Sequence, residues 1–131
     1  MLKRFSLPTE SEEMIDITRK VADCVDESGC REGYCLVFCP HTTAAITINE
    51  NTDPDVQRDI LTGLARYLPH QADFLHGEGN SCAHIKSSLV GASELVMITE
   101  GRLLLGTWQG IYFCEFDGPR TRTFYVKVVA G

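Results

Sequence analysis

No stretch of this chain is apolar for long enough to span a membrane or to form the hydrophobic part of a signal peptide, and its opening residues, Met1 to Pro8, carry two basic side chains and a proline. A cytoplasmic protein without a membrane partner is expected. Basic charge is also scarce: 12 Lys and Arg stand against 18 Asp and Glu, a net charge of -6, so nothing draws the whole molecule toward nucleic acid. The only basic cluster, Arg120 and Arg122 with Lys127 beyond, reads as one solvated strand face, and no nucleic-acid partner is expected. No two cysteines have CxxC spacing, which removes zinc-ribbon and thioredoxin signatures. A P-loop and a GxGxxG fingerprint are both missing. With no linker, low-complexity tract or internal repeat, residues 1–131 are expected to fold as a single domain.

The chain does have ample material for a core. At 131 residues and 44% hydrophobic it can bury most of its apolar surface without disulfide staples. Its six cysteines, Cys24, Cys30, Cys35, Cys39, Cys82 and Cys114, therefore read as mostly buried thiols, with Cys35 and Cys39 on one inward face of a strand.

The apolar spacing predicts a first strand over residues 1–7, an acidic turn at Glu10 to Glu13, and a short helix capped by Thr18 and stopped at Gly29. Two strands, Tyr34 to Phe38 and Ala44 to Ile48, should meet at the Cys39-Pro40-His41 corner. Asp53-Pro54 marks a helix start, and Val56, Ile60, Leu61, Leu64 and Leu68 define its core-facing stripe. Residues Leu95 to Ile98, Leu103 to Leu105, Gly110 to Phe116 and Thr123 to Val129 read as strands, with turns at Glu100-Gly101 and Asp117-Gly118. The expected class is α+β: a mainly antiparallel sheet or sandwich with two main helices packed on it, plus a short helical turn near His84 to Leu89.

Three of the four histidines stand at element boundaries among small or polar residues: His41-Thr42-Thr43, His76-Gly77-Glu78-Gly79-Asn80 and Ala83-His84-Ile85-Lys86. The two glycines between His76 and His84 allow the chain to fold back and bring both imidazoles to one point, where His41 could join them. Such a trio can bind a metal with an open position, or can simply be packed or surface histidine. His70, after the second helix, reads as an exposed residue at a helix C-terminus. Glu78, Glu50, Glu115 and Asp117 are acid–base candidates at loop and strand ends. Asn49 could orient a ligand or serve a turn, and Trp108 with Gln109 could present a ring face and an amide to a flat ligand or belong to a core or interface. Candidate anion donors are the Asp53-Pro54 helix start, the Gly77 to Asn80 loop, Lys86 and Arg120.

In order along the chain, His41-Thr42-Thr43-Ala44-Ala45-Ile46-Thr47-Ile48-Asn49-Glu50-Asn51, His76 to Asn80, Ala83 to Leu89, and Gly106-Thr107-Trp108-Gln109 to Glu115 resemble the YjbQ family over nearly the full length. The resemblance implies an α+β fold with an antiparallel sandwich, a homotrimer with its pocket near subunit boundaries, and a secondary thiamine-phosphate synthase activity. That reaction joins an aminopyrimidine diphosphate to a thiazole phosphate and expels pyrophosphate. Carried over by motif, His41, His76 and His84 would hold a divalent cation. Three imidazoles suit zinc, while magnesium is the usual companion of a diphosphate. Glu78, Lys86 and Arg120 would be catalytic, and Asn80, Trp108, Gln109 and Asn49 would bind the phosphorylated substrate. Some relatives carry a longer loop between the counterparts of His76 and His84 than the 77–83 segment here. Two other readings of the same residues are a metal-dependent hydrolase of a phosphate or ester, and a trimeric module that binds an anion or metabolite without turnover.

Overall fold

The structure, a computed structural model, describes residues 1–131. Eight strands form two antiparallel sheets. The larger has the order β1-β8-β3-β5-β6, built from β1 (Leu2–Pro8), β3 (Gly33–Phe38), β5 (Ser93–Thr99), β6 (Arg102–Leu103) and β8 (Thr121–Ala130). The smaller has the order β2-β7-β4, built from β2 (Glu13–Asp16), β4 (Ala44–Glu50) and β7 (Gln109–Glu115). The expected α+β class and antiparallel sandwich are present.

The main core lies between the sheets. Leu7, Val37, Phe124 and Val126 from the large sheet meet Ile46, Ile111 and Phe113 from the small one, with Phe113 and Phe124 rings 6.1 Å apart. Helix α1 (Thr18–Ser28) adds Val21, Cys24 and Val25 to the same cluster. A second cluster, Ala45, Ala83, Tyr112, Cys114 and Phe116, covers the other face of the small sheet under helices α2 (Pro54–Tyr67) and α3 (Ser81–Val90). Strand β7 is thus buried on both faces, which accounts for its nearly unbroken apolar run. All six cysteines are free thiols, and Cys35 and Cys39 both point inward.

Several local expectations hold at the level of single atoms. Asp53 caps α2 by accepting from the Asp55 N–H, with Pro54 as the first helical residue. Gly29 ends α1 in the left-handed conformation at φ 69°. Others are corrected. Thr18 is the first residue of α1, not its cap; Ile17 occupies the cap position, and Asp16 accepts from the Thr18 N–H and hydroxyl. The helical turn near His84 is a full third helix starting at Ser81. The strand expected at Leu103 to Leu105 shrinks to Arg102–Leu103, because Leu105 leaves the ladder. The α2 stripe of Val56, Ile60, Leu61, Leu64 and Leu68 is only half-buried, with Leu61 and Leu64 packed against the second cluster.

Two corrections shape the site. The Asp117-Gly118 turn is not a hairpin: β7 and β8 belong to different sheets, so this segment crosses from one layer to the other. Gly118 passes so close to the Glu10 carbonyl that a side chain would have no room. And Arg122 does not lie on a solvated face. Arg122, Phe124, Val126 and Val128 alternate with exposed or half-exposed neighbours, which turns Arg122 inward with the apolar set.

Candidate functional site

The layer crossing at Asp117 to Arg120, the β3–β4 corner at Pro40 to Thr43, and the glycine loop leading into α3 meet at one end of the sandwich. Between them lies a cavity of about 300 Å³ lined by Pro40, His41, Thr42, Thr43, Glu78, Asn80, His84, Arg120 and Arg122, with no hydrophobic side chain among them. Every lining residue has polar or main-chain character, unlike the apolar walls usual for small-molecule pockets.

Its floor is a buried ion pair. Arg122 is 4% exposed and Glu115 is fully buried. Arg122 donates from Nε to Glu115 Oε1 at 2.7 Å and from Nη2 to Oε2 at 2.5 Å, a bidentate fork that suits planar guanidinium and carboxylate. The same Nη2 also donates to the Thr43 hydroxyl at 2.7 Å. Glu115 accepts further from the Thr9 hydroxyl at 2.6 Å and the Asp117 N–H at 2.9 Å. Burial alone would raise the Glu115 carboxyl, but Arg122, Thr9 and the Asp117 N–H outweigh it and hold the group below the usual carboxylate range. Arg122 Nη1 makes no hydrogen bond within the protein, so one edge of a nearly buried guanidinium remains free in a residue that lines the cavity.

One wall is held by a second network. Arg120 donates from Nη2 to Asp117 Oδ2 at 2.7 Å and from Nε to the Asp117 carbonyl at 2.7 Å. Asn80 Nδ2 donates to the same Asp117 Oδ2 at 2.8 Å and to Glu78 Oε2 at 3.4 Å. The Asn80 Oδ1 atom is buried with no partner, an acceptor left for a donor from outside the chain.

His41 is fixed from β8. The Thr123 N–H donates to His41 Nε2 at 2.9 Å, and the Thr123 carbonyl lies 3.1 Å from the same nitrogen. Burial lowers the His41 pKa below the ordinary imidazole value, and the nearby Arg122 charge lowers it further. With Nε2 taken by the main chain, Nδ1 is the ring nitrogen left for chemistry. His84, on α3, reaches the cavity from the opposite side, its ring packed edge-on against His76 with centroids 5.4 Å apart.

Among the residues singled out from sequence, His41, Glu78, Asn80, His84 and Arg120 therefore come together at the cavity. His76 stands behind His84 and does not line it. The three imidazoles do not form a coordinating set: no group of three His, Cys, Asp or Glu side chains has metal-ligand spacing, and His41 spends Nε2 on the Thr123 main chain. As placed in this chain, these side chains thus do not make a three-histidine zinc centre or an oxygen-ligated magnesium site.

Lys86 is also elsewhere. It is buried, pairs with Glu12 at 3.3 Å and sits over the Phe116 ring, tying α3 to the β1–β2 connection. Trp108, Gln109 and Asn49 lie at the far end of the small sheet, where Asn49 is paired with Gly110, the length of β7 (about 20 Å) from Glu115. There Gln109 Oε1 accepts from the Gly106 N–H, and Trp108 is 60% exposed. The residues that sequence reading missed are Arg122 as a site residue and Thr42 and Thr43 as lining. The period-two pattern of β8, which places Arg122 with Phe124 and Val126, was the available signal for the first.

Against known proteins, the family described as "UPF0047 protein YjbQ-like" matches residues 3–131. The chain is 57% identical over 132 residues to UPF0047 protein YugU of Bacillus subtilis, covering 98% of this chain and 99% of that protein. It is 52% identical over 130 residues to a UPF0047 protein of Methanocaldococcus jannaschii, covering 98% and 94%. Among solved structures, a YjbQ/UPF0047 protein from Clostridium acetobutylicum matches with a TM-score of 0.95 at 57% identity, over 97% of this chain and 99% of that one. A YjbQ-like protein from Sulfolobus solfataricus also gives 0.95 at 33% identity, over 100% and 97%.

Proposed function

Because the chain belongs to the UPF0047 (YjbQ-like) family, we propose that its polar cavity binds the phosphate or diphosphate group of a small molecule and that the thiamine-phosphate synthase reaction implied by the family resemblance takes place there. The observation that carries this reading is the free edge of Arg122. A guanidinium 4% exposed and held in one orientation by the Glu115 fork and Thr43 leaves its Nη1 donors to the cavity, a preorganised partner for a phosphate oxygen. Arg120, held by Asp117, adds a second guanidinium at the same cavity.

In this reading the diphosphate of the aminopyrimidine substrate rests against Arg122 and Arg120. As the thiazole nitrogen attacks the methylene carbon, the bond to the leaving oxygen breaks and the arginines stabilise the growing charge on pyrophosphate. His41 and His84 flank the cavity, and an imidazole there can donate a proton to the departing pyrophosphate; the thiazole nitrogen carries none to lose. Incubating the protein with the two substrates and following thiamine phosphate tests the proposal. Turnover should fall about a hundredfold or more in His84→Ala if that imidazole handles a proton. Absence of product from the folded wild type would refute the synthase step while leaving phosphate binding to be judged separately.

A phosphate-ester hydrolase is the second reading, favoured by the Glu78 carboxylate at the cavity. It requires that Glu78→Gln abolish hydrolysis of a generic phosphomonoester. Self-association is part of the same proposal. Tyr34, Phe38, Leu95, Met97 and Leu104 expose apolar surface on or beside the large sheet, and Tyr34 faces Met97 across the β3–β5 ladder. A contiguous apolar patch of this kind supports burial against further copies of the chain, with the homotrimer as the assembly to test.

A further inference from the structure

His41, Thr42 and His84 line a second cavity as well as the first. This neighbour, about 500 Å³, is otherwise bounded by Ser87, Ser88, Gly91 and Ala92. The contrast between the two is chemical. The first holds two arginines and a glutamate, whereas the second has no charged side chain apart from the histidines that divide them. Ser87 has already given its hydroxyl proton to the Ala44 carbonyl at 2.7 Å, so its contribution to the wall is largely carbon and a satisfied oxygen. Gly91 adopts φ 105° and ψ 156°, a conformation open to glycine and costly for other residues. A Cβ at Gly91 would meet no atom within 4 Å, and its N–H and carbonyl are engaged by Ser87 and Ile46. The α3–β5 junction therefore turns on a glycine that lines the cavity and has open space where a side chain would stand.

From this juxtaposition we infer that the site has two compartments: the arginine-lined cavity takes the phosphate, and the Ser87–Ser88–Gly91–Ala92 cavity takes the uncharged, ring-sized organic part of the same molecule or of its reaction partner. The inference rests on the phosphate reading of the first cavity. It adds the class of ligand that fits beside it and places His41 and His84 at the boundary, where the bond between charged and uncharged parts would lie. The absence of charge in the second compartment selects against a second phosphate there, because an anion moved from water into it would find no cationic side chain other than the dividing histidines. The volume is within the range of pockets that hold small organic ligands.

Calorimetric titration with inorganic phosphate and with benzyl phosphate, which adds an uncharged ring one methylene away, tests this on the full-length protein. Wild type should bind benzyl phosphate about tenfold more tightly than phosphate, the gain expected when part of a ring leaves water. Ser88 is exposed on α3 and its side chain makes no hydrogen bond, so Ser88→Phe fills the compartment without removing a structural contact. That variant should lose the benzyl gain while its affinity for phosphate stays within about twofold, since no phosphate-binding group is touched. Ala92→Leu approaches from the other wall and gives the same reading if Ser88→Phe does not fold. Phosphate binding with no benzyl gain, or a gain that survives the folded variants, overturns the second compartment and leaves the first intact. Failure of phosphate itself to bind wild type overturns the phosphate reading, and this inference with it.

Discussion

At the scale of single residues, the central arrangement is one arginine, 4% exposed at the cavity, held by one fully buried glutamate. Removing one partner from such a pair leaves a charge that the interior cannot solvate, so Glu115→Gln should lower unfolding free energy by about 3 kcal/mol in urea titration near neutral pH. The pH dependence follows from the two shifted groups. Glu115 has a folded pKa below its ordinary value, so its contribution is present above about pH 4.5 and is lost as pH falls through the folded value, because the unfolded chain then binds more protons. His41 is also depressed, which means that the unfolded state takes up its proton first as pH drops below about 6.5 and stability declines there too. Wild type should therefore lose stability in two stages on acidification, and His41→Asn should remove the upper one. An unchanged upper stage in that variant would show that His41 is not the group responsible. The site residues legible from sequence were those at glycine-rich or polar boundaries. Arg122 was hidden because a basic residue two positions from another basic residue reads as surface, and only pairing with Glu115 makes its burial tolerable.

At the scale of elements, the features readable in advance are those set by local chemistry. The Asp53-Pro54 start of α2 is one, and Asp53→Ala should cost about 1 kcal/mol in thermal or chemical unfolding by orphaning the Asp55 N–H. A variant as stable as wild type would mean that α2 does not depend on this cap. The β3 and β8 strands announced themselves by β-branched and aromatic residues, and the Glu100-Gly101 hairpin by its glycine. Helix α3 was legible only as a short turn near His84 to Leu89, because the face it buries is Ala83, Lys86 and Ser87, which has no hydrophobic periodicity to show its full extent. The assignment of β7 and β8 to different sheets was equally hidden. A short turn between two apolar runs reads as a hairpin, and only the competing partners, β2 and β4 for β7 and β1 and β3 for β8, override it. Crossing rather than pairing is what opens the end of the sandwich and leaves Asp117 to Arg120 as a wall of the cavity.

At the scale of the whole molecule, charge and apolar surface are separated. The net charge is -6, yet two arginines converge on the cavity, and the outer large-sheet face carries exposed Leu95 and Met97. Light scattering after size exclusion should give a mass above that of one chain, and Leu95→Lys with Met97→Lys should return it to a monomer by placing charge in the buried contact. A wild-type monomer would exclude the sheet face as a self-association surface. Zinc offered to the purified protein should not survive gel filtration, since the chain presents no three-ligand group, and one equivalent retained per chain would overturn that reading. The most direct test of the account is calorimetric titration of inorganic pyrophosphate into wild type and Arg122→Lys, with folding of both checked by circular dichroism. Wild type should bind one pyrophosphate per chain, and Arg122→Lys, which keeps the charge but loses the planar fork, should bind at least about tenfold more weakly. Equal affinity in the two proteins, or no binding to wild type, would contradict it.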